Sequence, residues 1–84
     1  MAIQMLRLPQ LLERRGGSRS ELYRGIKAGL FPPPVKLSVR LMAWPSYEVD
    51  QITAARIAGK SDDEIRELVR RIVAARATVE AEAA

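Results

Sequence analysis

The sequence predicts a small, mostly helical domain that carries one β-hairpin and ends in a further helix. Three observations point there. Aliphatic residues recur at helical spacings of three and four in several separate stretches. Glycines and prolines fence those stretches tightly: the segment from Gly16 to Leu37 holds Gly16, Gly17, Gly25 and Gly29 together with Pro32, Pro33 and Pro34. Two short runs with strand character, Val35-Lys36-Leu37 and Leu41-Met42-Ala43-Trp44, flank Ser38-Val39-Arg40. With 84 residues and no cysteine to staple it, the chain is one domain near the lower end of what folds alone. A hydrophobic fraction of 48% with only 5% aromatic residues suits a compact aliphatic core.

The elements follow in order. Residues 7–14 form a short helix with Pro9 in the first turn, where its missing N–H costs little. Gly16 or Gly17 closes that helix by taking the left-handed conformation, and Ser18 caps the next one, with Glu21 three residues on completing a capping box. The second helix spans residues 19–28. An advance of ~100° per residue puts Leu22 and Ile26 on one inward stripe, and Ser20, Tyr23, Arg24 and Lys27 within a single arc beside it. Arg19 sits at the exposed first turn. Gly29 ends this helix, Phe31 packs back, and the three prolines force an extended segment. The hairpin comes next, with Arg40 near its tip. Pro45 and a Ser46 N-cap then start a third helix, carried by Val49 and Ile52 and closed by Gly59. Ser61 and Glu64 form a second capping box, with first-turn acids that suit the helix dipole. The last helix follows with Ile65, Leu68, Ile72, Ala75 and Val79 as a short heptad seam. Nothing apolar beyond Val79 holds the Ala-Glu tail, which is expected to fray. Residues 1–59 thus form one domain. Residues 60–84 form a helical extension that packs on it or mediates oligomerisation.

Charge is regional. Residues 1–44 carry eight Lys and Arg against Glu13 and Glu21, a local charge of +6, whereas residues 45–84 contribute −2 to the overall +4. A concentrated basic half in a chain of pI 10.1 is the electrostatic footprint of a polyanion binder. Catalysis is hard to build here. Histidine and cysteine are both absent, and no phosphate-cradling loop or metal-spaced ligand set occurs, so neither an enzyme nor a cofactor nor a metal site is expected. The acids Asp62, Asp63 and Glu64 read as helix-opening residues rather than as ligands for a divalent cation. No stretch approaches the ~20 apolar residues of a membrane span, and no basic-then-apolar leader opens the chain, which predicts a cytoplasmic, nucleoid-associated protein.

The second helix carries the sharper reading. Arginine matches the acceptors of guanine or a phosphate, while serine, tyrosine and lysine reach phosphates, and an α-helix fits the major groove of B-DNA. Any single basic residue there is adequately explained as part of a solvated helix face. The glycine turn before it, the charge asymmetry and the hairpin after it together favour a recognition helix. Tyr23 can cover the core edge with its ring and contact a phosphate through its hydroxyl. Arg40 is placed to touch phosphate or enter a minor groove, against ordinary solvation of a hairpin tip. Trp44 is expected in the core.

The motifs Leu8-Pro9, Gly17-Ser18-Arg19-Ser20-Glu21-Leu22-Tyr23-Arg24, Gly29-Leu30-Phe31-Pro32-Pro33-Pro34-Val35-Lys36-Leu37, Trp44 and Glu48-Val49 occur in an order that resembles the AlpA family of small phage and prophage regulators, over roughly residues 5 to 58. The resemblance implies an excisionase-like or MerR-like winged helix-turn-helix with an extra C-terminal helix. It implies binding to double-stranded DNA, either to regulate transcription or to act as a recombination directionality factor beside an integrase. Carried onto this sequence, the DNA-contacting residues are Ser18, Arg19, Ser20, Tyr23, Arg24 and Lys27 on the recognition helix and Lys36, Ser38 and Arg40 on the wing. Ser38-Val39-Arg40 stands where the family usually has a glycine-rich turn, and the segment after Gly59 extends beyond the family core.

That extension has two readings. It folds back on the domain and enlarges a meagre core, or Ile65, Leu68, Ile72 and Val79 form an oligomer or partner seam, giving a homodimer or a cooperative oligomer on DNA. The competing function from another class is a protein-interaction adaptor working through that helix. RNA binding is weaker, because Tyr23, Phe31, Trp44 and Tyr47 do not fall on one sheet face for stacking.

Overall fold

The computed structural model describes residues 3–83. The chain runs β1 (Met5–Leu6), α1 (Leu8–Arg15), α2 (Arg19–Lys27), β2 (Val35–Lys36), β3 (Met42–Pro45), α3 (Ser46–Ile57) and α4 (Asp62–Ala83). The strands form one antiparallel sheet in the order β1-β3-β2, with Leu6 opposite Trp44 and Val35 opposite Ala43. The hairpin is the expected one. The third strand, β1, is not: two residues are too short to show alternation, and only the distant edge of β3 turns them into a strand.

That pairing changes how α3 begins. Ser46 does not cap the helix as expected. Pro45 ends β3 and occupies the N-cap position, Ser46 is the first helical residue, and its N–H donates to the Gln4 carbonyl at 2.8 Å. The β1–β3 edge thus takes up the first free N–H of the helix, while no side chain caps it. The other expected cap is complete. The Ser61 N–H donates to Glu64 Oε1 at 3.0 Å and the Glu64 N–H donates to Ser61 Oγ at 3.2 Å. This bonding holds the Glu64 carboxyl below its ordinary pKa.

The core joins all layers. Leu6, Leu11, Leu22, Phe31, Trp44 and Val49 are buried together with Ile52 and three residues of α4. Trp44 is 1% exposed, and its Nε1–H donates to the Pro32 carbonyl at 3.0 Å, which pins the proline segment to the sheet. α4 folds back along α3. Its buried residues are Ile65, Val69 and Ile72, while Leu68 and Val79 are half-buried and Ala75 is exposed. The inward stripe therefore runs through Val69 rather than through Leu68 and Ala75, on the side of α4 that lies against the core. Ile65 and Ile72 are occupied within the chain and are not free to form a seam with a partner. The helix continues past Thr78 to Ala83, in keeping with the high helix propensity of alanine and glutamate. Residue 84 lies outside the described residues.

Arg76 continues the same stripe. It meets Glu48, the one charged side chain buried among the described residues, at 1% exposure. Arg76 Nε donates to Glu48 Oε2 at 2.9 Å and Nη2 donates to Oε1 at 2.6 Å, a bidentate pair. Nη2 also donates to the Pro33 carbonyl at 2.7 Å. The bond to Glu48 raises the Arg76 pKa, with the carboxylate charge acting in the same direction against the effect of burial. By contrast, Arg14 and Asp50, which tie α1 to α3 at 2.9 Å, are about half exposed and contribute little to stability.

Removing one member of the buried pair strands the other. Arg76→Ala is expected to destabilise the fold by about 3 kcal/mol, because the Glu48 carboxylate is left without its partner. The double variant Glu48→Leu, Arg76→Leu is expected to recover most of that loss. Urea unfolding of the three proteins measures both.

Candidate nucleic-acid interface

Positioning of α2 begins at the glycine turn. Both Gly16 and Gly17 adopt positive φ, at 82° and 83°, which a residue with a side chain resists. A Cβ on Gly17 would also lie 3.0 Å from Arg15 Nη1. The turn is therefore short and fixed, and only three residues separate α1 from α2. Ser18 Oγ accepts the Glu21 N–H at 3.2 Å and lies 3.4 Å from Glu21 Oε1 as a donor. The capping bond is the expected one, but the Glu21 side chain answers the hydroxyl rather than the Ser18 backbone N–H. The Ser18 hydroxyl is thus engaged in starting the helix.

Beyond the cap, the helix sorts its side chains as the spacing predicts. Leu22 is fully buried and Ile26 packs against the core. Arg19, Ser20, Tyr23, Arg24 and Lys27 are all exposed, Tyr23 at 48%. On the hairpin, Lys36, Ser38 and Arg40 are exposed as well. The tip is closed by the Leu37 N–H donating to the Leu41 carbonyl at 2.8 Å, with Ser38 and Leu41 exchanging longer bonds of 3.3 Å. The site residues thus form two patches, one on α2 and one on the arm. The molecule's longest extent is 35 Å, so both patches lie within about one turn of B-DNA.

Ion pairing divides the molecule. Among the described residues, Arg56, Lys60, Arg66, Arg70 and Arg76 each have an acidic partner within 4 Å, and in that half of the chain Arg71 alone does not. In the first half only Arg14 is paired. Arg19, Arg24, Lys27, Lys36 and Arg40 have no acid in reach, and no Asp or Glu occurs anywhere from Leu22 to Tyr47. The positive field of α2 and the arm is therefore uncompensated, whereas that of α3 and α4 is largely neutralised internally.

Beside α2 lies an open groove of about 640 Å³ between the glycine turn and α3. Arg15, Arg24 and Arg56 line it together with Phe31 and Ile52. The Arg15 guanidinium stacks 5.3 Å from the centre of the Phe31 ring. Arg24 is thereby at the border between the outer face of α2 and this groove.

The far end of α2 is held by the extension. Arg66 of α4 donates from Nε to the Ala28 carbonyl at 3.0 Å, satisfying an acceptor at the helix C-terminus and placing a cation at the negative end of its dipole. Asp63 accepts from Arg66 Nη1 at 3.2 Å and orients the guanidinium. Gly29, at φ 79°, lets the chain turn there, and the Arg66 stem passes 3.7 Å from where a Cβ would sit. Together with Arg76 on the Pro33 carbonyl, α4 touches both ends of the segment that links α2 to the arm. Neither arginine stands out in the sequence as a positioning residue. The available signal was a basic residue continuing an apolar stripe, Ile65-Val69-Ile72-Arg76, and an acid, Glu48, next to the buried Val49.

The α1–glycine turn–α2 unit followed by the β2–β3 arm defines a small winged helix-turn-helix protein. The chain belongs to the family described as prophage CP4-57 regulatory protein (AlpA), whose family model matches residues 4–57. It is thus a member of a family of phage regulatory proteins, and α4 lies beyond the matched region. "Uncharacterized protein ORF88" of Enterobacteria phage P4 is 42% identical to it over 57 residues, which cover 68% of this chain and 65% of that protein. The chain therefore matches slightly less than two thirds of that relative's length. No solved structure matches. Among the described residues no helix is long and apolar enough to cross a membrane, and no acidic cluster is arranged to hold a metal ion.

Arg66→Ala is expected to lower stability by about 1 kcal/mol, the scale of one charge-assisted hydrogen bond at a partly exposed site. The loss is local: amides of the last turn of α2 should exchange faster with solvent while those of α3 keep their protection. Hydrogen exchange resolved by residue measures both.

Proposed function

We propose that this protein is a sequence-specific regulator that binds double-stranded DNA, with α2 inserted in the major groove and the β2–β3 arm on the backbone or in the adjacent minor groove. The observation that carries this reading is the uncompensated charge of α2 and the arm. Arg19, Arg24, Lys27, Lys36 and Arg40 are exposed and have no acidic partner within 4 Å, with Glu21 the one acid between Arg19 and Tyr47, while basic residues elsewhere are mostly neutralised by their own neighbours. Phosphates supply the missing partners, and release of their counterions supplies affinity. Ser20 and Lys27 anchor the helix on the backbone, Tyr23 adds its hydroxyl, and Arg24 reads a base edge. Ser18 acts by starting the helix that carries them.

Membership of a phage regulatory family supports two roles for such binding: control of a promoter, or bending of an attachment site beside an integrase as a recombination directionality factor. One short helix reads few base pairs, so pairs or arrays of protomers on repeated half-sites extend the recognised sequence. The working place of the protein is then the nucleoid. No catalytic step and no cofactor enter this function. The adaptor reading loses support from α4, whose Ile65 and Ile72 are already packed inside the chain.

Selection of duplexes from a random library, followed by titration of the selected and a scrambled duplex at two salt concentrations, tests the proposal. The wild type is expected to retain its preference as salt rises. Arg24→Ala is expected to lose about 1–3 kcal/mol of discrimination at one position of the site. Equal binding of selected and scrambled duplexes by the wild type contradicts the proposal.

A further inference from the structure

The hairpin arm carries an alternation that the core does not absorb. Val35, Leu37 and Val39 alternate with Lys36, Ser38 and Arg40, the pattern of a strand with one apolar and one polar face. In a half-buried strand the apolar face lies on the core. Here that holds only at Val35, which is half-buried; Leu37 is 47% exposed and Val39 88%, and Met42, which pairs with Lys36 on the other face, is 47% exposed. Val39 sits at the apex of the turn, between Ser38 and Arg40, where a hydrophilic or glycine-rich turn is the usual choice.

An aliphatic apex between two cations calls for a partner that is anionic at its rims and apolar inside. A second copy of the chain fits poorly. The arm belongs to the half of the molecule that carries +6, so two arms would meet with like charge. Leu37, Val39 and Met42 also fall far short of the ~800 Å² that each side of a standard protein interface buries. The minor groove of DNA fits on both counts. Its rims are phosphates and its walls are the apolar faces of deoxyriboses. At ~6 Å wide it is too narrow for a two-stranded ribbon whose strands alone lie ~4.8 Å apart, so only the apex can enter.

We propose that Val39 is an apolar wedge that enters the minor groove at a base step and bends the duplex, while Lys36 and Arg40 hold the phosphates on either side and Leu37 packs on the sugar wall behind it. Side chains of this kind unstack a step and kink DNA toward the major groove. This inference rests on the reading of the protein as a DNA-binding regulator and assigns the arm a role distinct from that of α2. It also gives the Ser38-Val39-Arg40 turn, which lacks the flexible glycines of a passive wing, a reason for its composition.

The test compares wild type, Val39→Ser, Val39→Met and Arg40→Ala on the selected and the scrambled duplex, each long enough to hold one site. Bend angle is read by end-to-end energy transfer and affinity by titration across salt. Val39 makes no core contact, so its variants keep the fold. Val39→Ser is expected to lose most of the bend on any duplex it binds and about five-fold in affinity, the scale of one lost apolar contact, with an unchanged salt slope. Val39→Met is expected to keep the bend. Arg40→Ala is expected to reduce the salt slope by about one phosphate. A wild type that leaves the duplex straight, or a Val39→Ser variant that bends it fully, overturns the wedge. So does a variant that bends single sites normally and fails only in cooperative loading of adjacent sites, which would assign the apex to contact between copies. Absence of preference for the selected duplex in the wild type counts against base reading by α2 and leaves the wedge to be decided by the bend.

Discussion

The ion pair between Glu48 and Arg76 is the constraint on which the rest of the arrangement depends. A fully buried carboxylate is tolerable only with a well-placed cation, and Arg76 supplies a bidentate one from the far end of the chain. Because the same guanidinium also holds the Pro33 carbonyl, three segments remote in sequence have to meet at one point: the first turn of α3, the middle of α4 and the proline segment. Trp44 repeats the logic one residue earlier, packing its ring in the core and donating to Pro32. The extended segment between α2 and the arm is thereby fixed by two polar contacts rather than by secondary structure of its own. The relative placement of the two basic patches follows from that.

The extension beyond the family region acts through the same geometry. α4 places Arg66 on the C-terminus of α2 and Arg76 on the proline segment, so it braces both ends of the link between α2 and the arm, and Arg71 is the one base of α4 without an acidic partner within 4 Å. Its Arg66 and Arg70 are answered by Asp63 and Glu67, and its Arg76 by Glu48 of α3. A short winged domain with a meagre aliphatic core gains from this helix in two ways. Ile65, Val69 and Ile72 add apolar burial, and the arginines fix a helix whose outer face must stay free.

Much of this was legible in the sequence where the physics is local. The Gly16-Gly17 turn, the Ser18 and Ser61 caps, the Leu22–Ile26 stripe and the hairpin depend on neighbours within a few residues, and the exposed set on α2 follows from helical period alone. What was not legible depends on partners far away in the chain. β1 exists only because β3 offers an edge. Ser46 becomes the first helical residue rather than the cap because the β1–β3 edge runs on through Pro45 to bond its N–H. The choice of Val69 over Leu68 for the core reflects the surface that α3 presents, and Arg66 and Arg76 acquire roles only when α4 folds back. The candidate site divides in the same way. Its side chains were read correctly as exposed, whereas the engagement of Ser18 with Glu21 and the projection of Val39 from the arm required the folded geometry.

The central claim is that the uncompensated face of α2 and the arm is where DNA binds. Residue-resolved NMR of the isotope-labelled protein, titrated with the library-selected duplex, tests it most directly. The account predicts that amide shifts move from Ser18 to Lys27 and from Lys36 to Arg40, with the exposed side of α4 unchanged. Shifts concentrated on α4, or none at saturating duplex, would contradict it.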